Sequence, residues 1–190
     1  KECNYVIKAL SLVGIIPTFL KGAAYVLAKD NPSRGRIFSD VDIFIPKIKL
    51  AEAEQVLSWQ GWVHGDDDEY DENYYRKWMH EIPPLTHESR GTTLDVHHNL
   101  LPIIGRVKLD ASKLSENLCN IAGKKCTVLC PEDRVLHSAA HLFLNGEFDN
   151  GFRDLFDLDQ LIRQHSDGHP EFLLSLVQRS QELGLQSVLY

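Results

Sequence analysis

The sequence predicts an α+β (mixed α/β) fold: a sheet with flanking helices, followed by a mainly helical C-terminal part. Three observations predict it. Apolar residues recur at helical spacing in CNYVIKALSLVG and IKLAEAEQVLSWQG. Short runs of strand formers, IIPTFL, RIFSDVDIFIP and TTLDVHHNLLP, fall between and after them. Beyond Lys108 the pattern turns chiefly helical. The expected division is therefore an α/β domain over residues 1–108 and a helical part over 109–190, packed on it.

The first helix ends at Gly14, and IIPTFL follows as a short strand. Lys21-Gly22 makes the turn into the helix AAYVLAKD, and NPSRG is a loop. RIFSDVDIFIP is the second strand, with its two aspartates in mid-strand. In the next helix Leu50, Ala53, Val56 and Leu57 share a face, and Gly61 can cap its end. GDDDEYDEN lacks the alternating ligands of a calcium loop and reads as solvated. YYRKWMHEIP, LTHES and TTLDVHHNLLP read as antiparallel strands. LDASKLSENL is a short helix and CTVLC a last strand. Pro131 then opens EDRVLHSAAHLFL, and GFRDLFDLDQLIRQH and HPEFLLSLVQRSQELG complete the helical part. In the former, Phe152, Leu155 and Leu158 form an apolar stripe opposite a charged face.

Composition narrows the function. With 190 residues, 43% of them hydrophobic, the chain can bury a proper core. A net charge of −7 argues against extended DNA binding, though a nucleotide escorted by a divalent metal remains compatible. No apolar run reaches the roughly 18 residues of a membrane span. Four cysteines, Cys3, Cys119, Cys126 and Cys130, do not make a disulfide framework and point to a reducing cytoplasm, with Cys126 and Cys130 read as small apolar strand residues. The chain opens without Met and already at helical spacing, as expected of a fragment or a trimmed chain.

The chemistry lies in the carboxylates. Residues i and i+2 of a strand face the same way, so Asp40 and Asp42 share one face while Val41, Ile43 and Ile45 point into the core. Two carboxylates roughly 6–7 Å apart repel unless a cation lies between them, and hard oxygen donors suit Mg²⁺ or Mn²⁺. Asp95 repeats the pattern, sharing a face with Thr93 and His97. If the two strands are neighbours, three carboxylates meet the needs of a two-metal site. Upstream, Gly22 allows close backbone approach at a helix N-terminus, and Lys21 adds a point charge there. Arg36, just before the D-x-D strand, is placed to grip a phosphate. His97 is placed to orient Asp95 or to touch an acceptor. His137 and His141, four apart on a helix, share a face but lack the Glu of an H-E-x-x-H zinc motif.

The constellation FLKG … RGRIFSDVDIFIP … TLDVHHNLLP resembles the DNA polymerase β-like nucleotidyltransferase superfamily, and within it the bacterial nucleotidyltransferase-family proteins of unassigned substrate. The resemblance runs from about Pro17 to Pro102. It implies that Asp40 and Asp42 bind two Mg²⁺ or Mn²⁺ ions and that Asp95 is the third ligand and activates the acceptor. Gly22 would lie beside the triphosphate of an NTP such as ATP, with Lys21 and Ser39 as secondary contacts. Ala23 follows Gly22 where the superfamily often has Gly-Gly or Gly-Ser. The implied reaction is transfer of a nucleoside monophosphate to an acceptor hydroxyl with release of pyrophosphate. The acceptor class stays open between a small molecule, a peptide or protein side chain, and an RNA end. The competing reading is a non-catalytic nucleotide-binding or interaction module of the same fold, whose signature would be a lost carboxylate.

Overall fold

Fourteen named helices and strands are found among the described residues. In chain order they are α1 (Glu2–Ser11), β1 (Thr18–Phe19), α2 (Lys21–Ala28), β2 (Asp40–Phe44), α3 (Leu50–Trp59), β3 (Trp62–His64), β4 (Leu85–His87), β5 (Thr93–His97), α4 (Ser112–Ser115), β6 (Leu118–Asn120), β7 (Thr127–Leu129), α5 (Pro131–Leu144), α6 (Gly151–Ser166) and α7 (Glu171–Leu183). The structure is a computed structural model and describes residues 1–65, 75–102, 107, 109–144 and 151–189. The acidic loop expected after Gly65 therefore lies, over residues 66–73, outside the described residues.

One mixed sheet of seven strands, in the order β3-β4-β5-β2-β1-β7-β6, runs through both halves of the sequence. The parallel pairs are β2 with β5 and β1 with β7, and the other pairs are antiparallel. Alternation along the strands decides what each face meets. Val41, Ile43, Leu94 and Val96 pack under Val6, Ala9 and Leu10 of α1 and Ala53, Val56 and Leu57 of α3. Removing an aliphatic side chain such as Ile43 from water contributes about 1.5–3 kcal/mol. Phe44 and Leu129 point the other way, into a second core with Leu136, Ala139 and Ala140 of α5, Leu158 and Leu161 of α6, and Leu176 and Leu183 of α7. The three C-terminal helices thus roof the face that carries the aspartates. Gly184, at φ 70°, closes α7 in the left-handed conformation that glycine adopts without penalty. No helix among the described residues is long and apolar enough to cross a membrane.

Several local expectations need correction. The strand placed at YYRKWMHEIP is instead helical at residues 75–78, and the strand that follows α3 is Trp62–His64. There Trp62 is buried and Val63 exposed, an alternation too short to register as a period. Regular pairing of β2 begins at Asp40, so this aspartate opens the strand. The stripe expected on α6 faces inward only at Leu158: Phe152 is 95% exposed, whereas Asp157 is only 4% exposed. A buried ion pair between Asp157 and Arg36 turns the helix. Finally, Cys119 and Cys130 form a disulfide that staples β6 to the end of β7, against the expectation of four reduced cysteines. Cys126, just before β7, stays free and buried.

Candidate active site

The parallel pairing of β2 with β5 sets Asp40 opposite Thr93, Asp42 opposite Asp95, and Phe44 opposite His97. Adjacent strands lie about 4.8 Å apart, so the Asp42 and Asp95 carboxylates stand side by side, with Asp40 on the same face. The strand register therefore brings the three predicted carboxylates together.

Each carboxylate has its own surroundings. Asp42 is buried, with Lys21 Nζ 2.7 Å and His97 Nε2 3.1 Å from its Oδ1. Burial opposes its ionisation, but the hydrogen bond from His97 and the Lys21 ammonium outweigh this and hold the carboxyl well below the usual range. Burial likewise opposes the charge on Lys21, and the attraction of Asp42 overrides it, so the ammonium is held above its ordinary pKa. Asp95 has no such partner. Burial first, then the charges of Asp42 and Glu81, push its pKa up to about 6. Asp40 lies nearer solvent and accepts a 3.3 Å hydrogen bond from Ser39 Oγ.

Lys21 occupies the first position of α2 at φ 43°, a left-handed conformation that costs a non-glycine residue about 1–3 kcal/mol. Its ion pair with Asp42 offsets that strain. The adjacent Gly22 lies directly under the Phe38 ring, and a Cβ there would collide with Cδ1, Cε1 and Cγ of that ring. The Arg36 guanidinium stacks 4.9 Å from the centre of the same ring and pairs with Asp157. Glycine, aromatic ring, guanidinium and carboxylate form one column from α2 to α6.

These residues line a cavity of about 310 Å³. Lys21, Gly22, Ser39, Asp40 and Asp42 form its sheet side, His137 and His141 of α5 its roof, and Arg153, Asp154 and Asp157 of α6 its rim. Burial lowers the pKa of both roof histidines, with Lys21 adding to it, which favours neutral rings above the sheet face. Asp95 is not on the cavity wall but stands beside Asp42 toward β4.

Sequence reasoning missed Glu81. Residues 80–82 run antiparallel along the free end of β5: Ile82 N donates to Val96 O, His98 N to His80 O, and Glu81 bridges to His97. This brings Glu81 Oε2 to 3.3 Å from His97 Nδ1, so His97 sits between Asp42 and Glu81. The only signal in the sequence was the acidic residue in HEIPP, which carries no periodicity.

A side-by-side carboxylate pair, a third on the same face and a lysine at an adjoining helix start match the pattern read from the sequence. Comparison with known proteins gives a consistent answer. The family described as uncharacterised nucleotidyltransferase matches residues 1–190. The chain belongs to this nucleotidyltransferase family. No curated protein sequence matches it significantly. Among solved structures, the antibiotic-resistance factor ANT(2'')-Ia in complex with adenylyl-2''-tobramycin is similar at a TM-score of 0.57 and 12% identity, covering 92% of this chain and 94% of that one. A solution structure of ANT(2'')-Ia gives 0.56 and 11%, covering 85% and 81%. An antigenic nucleotidyltransferase-like protein from Paracoccidioides brasiliensis gives 0.47 and 16%, covering 97% and 88%. At such identities the ANT(2'')-Ia likeness establishes a shared fold, that of a nucleotidyltransferase, in keeping with the polymerase β-like resemblance.

Proposed function

We propose that the protein is a metal-dependent nucleotidyltransferase that moves a nucleoside monophosphate from an NTP, ATP in the first instance, to an acceptor hydroxyl and releases pyrophosphate. The observation that carries this reading is the register of Asp42 against Asp95, with Asp40 on the same face and Lys21 at the mouth of α2. The donor set fits Mg²⁺ or Mn²⁺: all three ligands are hard oxygens, and burial together with the neighbouring charges of Asp42 and Glu81 pushes the Asp95 pKa to about 6, a cost that a cation would relieve. Asp40, Asp42 and Asp95 would hold a pair of such ions, which when bound neutralise the triphosphate and the departing pyrophosphate.

The chain's own groups divide the remaining work. Lys21 and the start of α2 bind phosphate oxygens, and Gly22 admits them once the Phe38 ring swings aside. Ser39 holds the Asp40 carboxylate in place. Arg36 closes the cavity from the loop side. The acceptor oxygen forms a bond to the α-phosphorus while the bond to the pyrophosphate oxygen breaks, and Asp95 takes up the acceptor proton. His97 fixes the orientation of Asp42. A cavity of only about 310 Å³ favours a small-molecule acceptor over an RNA end. A protein of the same fold binding adenylyl-2''-tobramycin supports that choice.

Calorimetric titration with each of the four NTPs, with and without Mg²⁺, tests the reading on the wild type, Asp42→Asn and Asp40→Asn. The expected result is Mg²⁺-dependent binding that either substitution abolishes while the fold persists. Binding that ignores both Mg²⁺ and the aspartates would overturn it. Binding without pyrophosphate release against any acceptor would favour the non-catalytic module.

A further inference from the structure

His97 poses a problem that the carboxylate site does not solve. A carboxylate oxygen accepts, so the 3.1 Å contact with Asp42 Oδ1 assigns the hydrogen to His97 Nε2. In the neutral ring, Nδ1 then presents a lone pair. That lone pair, on the buried His97 ring, lies 3.3 Å from Glu81 Oε2, another acceptor. Nδ1 has no hydrogen-bond partner among the described residues. Two acceptors packed this way repel unless a cation stands between them.

A third donor converges on the same spot. His80 is buried, its ring is 5.3 Å from that of His97, and its Nε2 is 3.9 Å from Glu81 Oε2. One ligand atom from each of His80, Glu81 and His97 lies within 4.8 Å of the others. Two imidazole nitrogens and one carboxylate oxygen make a borderline donor set, which selects zinc-class ions over Mg²⁺ and leaves a fourth position open. A ligating histidine ordinarily donates its other N–H to a carboxylate, and His97 does so to Asp42.

We infer that His80, Glu81 and His97 form a binding site for one zinc-class divalent ion, distinct from the Asp40–Asp42–Asp95 site and joined to it through the His97 ring. The ion fixes the tautomer of His97 and thereby the position of Asp42. The site does not depend on nucleotidyl transfer, so it stands or falls separately from the reading above.

The experiment uses the full chain, stripped with chelator and titrated with Zn²⁺ by calorimetry, then with Co²⁺ as a visible-light probe. The expected result is one Zn²⁺ per chain, with affinity falling at least about tenfold in His80→Ala and in Glu81→Gln and unchanged in Asp40→Asn. Co²⁺ should give the intense bands of a four- or five-coordinate, imidazole-bound ion. No stoichiometric Zn²⁺ in the wild type overturns the inference. So does loss of Zn²⁺ in Asp40→Asn alone, which would place the ion among the aspartates. Should the two ligand variants fail to fold, the Co²⁺ spectrum of the wild type decides: the weak bands of an all-oxygen octahedral ion refute the site.

Discussion

Asp95→Asn should make the metal-free protein more stable at pH 8, although it removes a carboxylate from the proposed catalytic face. Folding raises the Asp95 pKa from the usual 3.8 to about 6, so the folded state holds its proton more tightly than the unfolded chain does. The stability this contributes is complete below about pH 4 and is lost as pH rises through about 6. Above that, ionised Asp95 burdens the fold by about 3 kcal/mol, from 1.36 kcal/mol for each unit of the difference. Asparagine keeps the shape without the charge. Its amide still needs partners, so a net gain of about 1–3 kcal/mol is expected. Urea denaturation in EDTA would show this as a midpoint about 0.5–1.5 M higher than wild type at pH 8, for a slope near 2 kcal/mol/M. The gain should shrink toward zero at pH 4. Added Mg²⁺ should raise the midpoint of the wild type and leave the variant behind. A variant no more stable at pH 8, or equally favoured at pH 4, would refute the assignment of strain to this charge.

Gly22→Ala should lower stability by about 1–3 kcal/mol, since the new methyl displaces the Phe38 ring, and Phe38→Leu in the same chain should restore much of that loss in thermal melts without restoring nucleotide affinity. Asp30→Ala should cost about 3–5 kcal/mol in denaturant, because Asp30, only 1% exposed, sits 2.8 Å from Arg134 Nε and 3.4 Å from His165 Nε2 and leaves Arg134 buried and unpaired when removed. Cys130→Ser should lower stability by about 3 kcal/mol under oxidising conditions, for a loop of 11 residues, and the difference should vanish in reductant.

The faces of β2 and β5 were legible because a period of two needs only five residues. Val41, Ile43, Leu94 and Val96 went inward and Asp40, Asp42, Asp95 and His97 outward, as alternation requires. Their adjacency in the sheet was not legible from spacing, since β4 and a long intervening segment separate them in the chain. Glu81 reaches the site through one β-bridge at the end of β5, which leaves no pattern to read. The α6 helix shows the reverse failure. Phe152, Leu155 and Leu158 form a convincing stripe, yet the Arg36–Asp157 pair and the fit against α5 turn Phe152 outward. A disulfide partner for Cys119 could not be chosen among three other cysteines without the antiparallel pairing of β6 and β7.

The two-residue strand β1 sits between β2 and β7, and the hydroxyls of Thr18 and Thr127, 109 positions apart, meet at 2.8 Å. During synthesis the ribosome releases Lys21 and Asp42 long before β7 or α6 exists. At ordinary elongation rates the gap between Asp42 and Asp157 lasts roughly ten seconds. Throughout that interval β1 lacks its parallel neighbour and the aspartate face lacks its roof. Such non-local pairing slows folding and leaves an open strand edge for chaperones or for other nascent chains. A prematurely terminated chain would therefore be a sticky half-sheet rather than a weak enzyme.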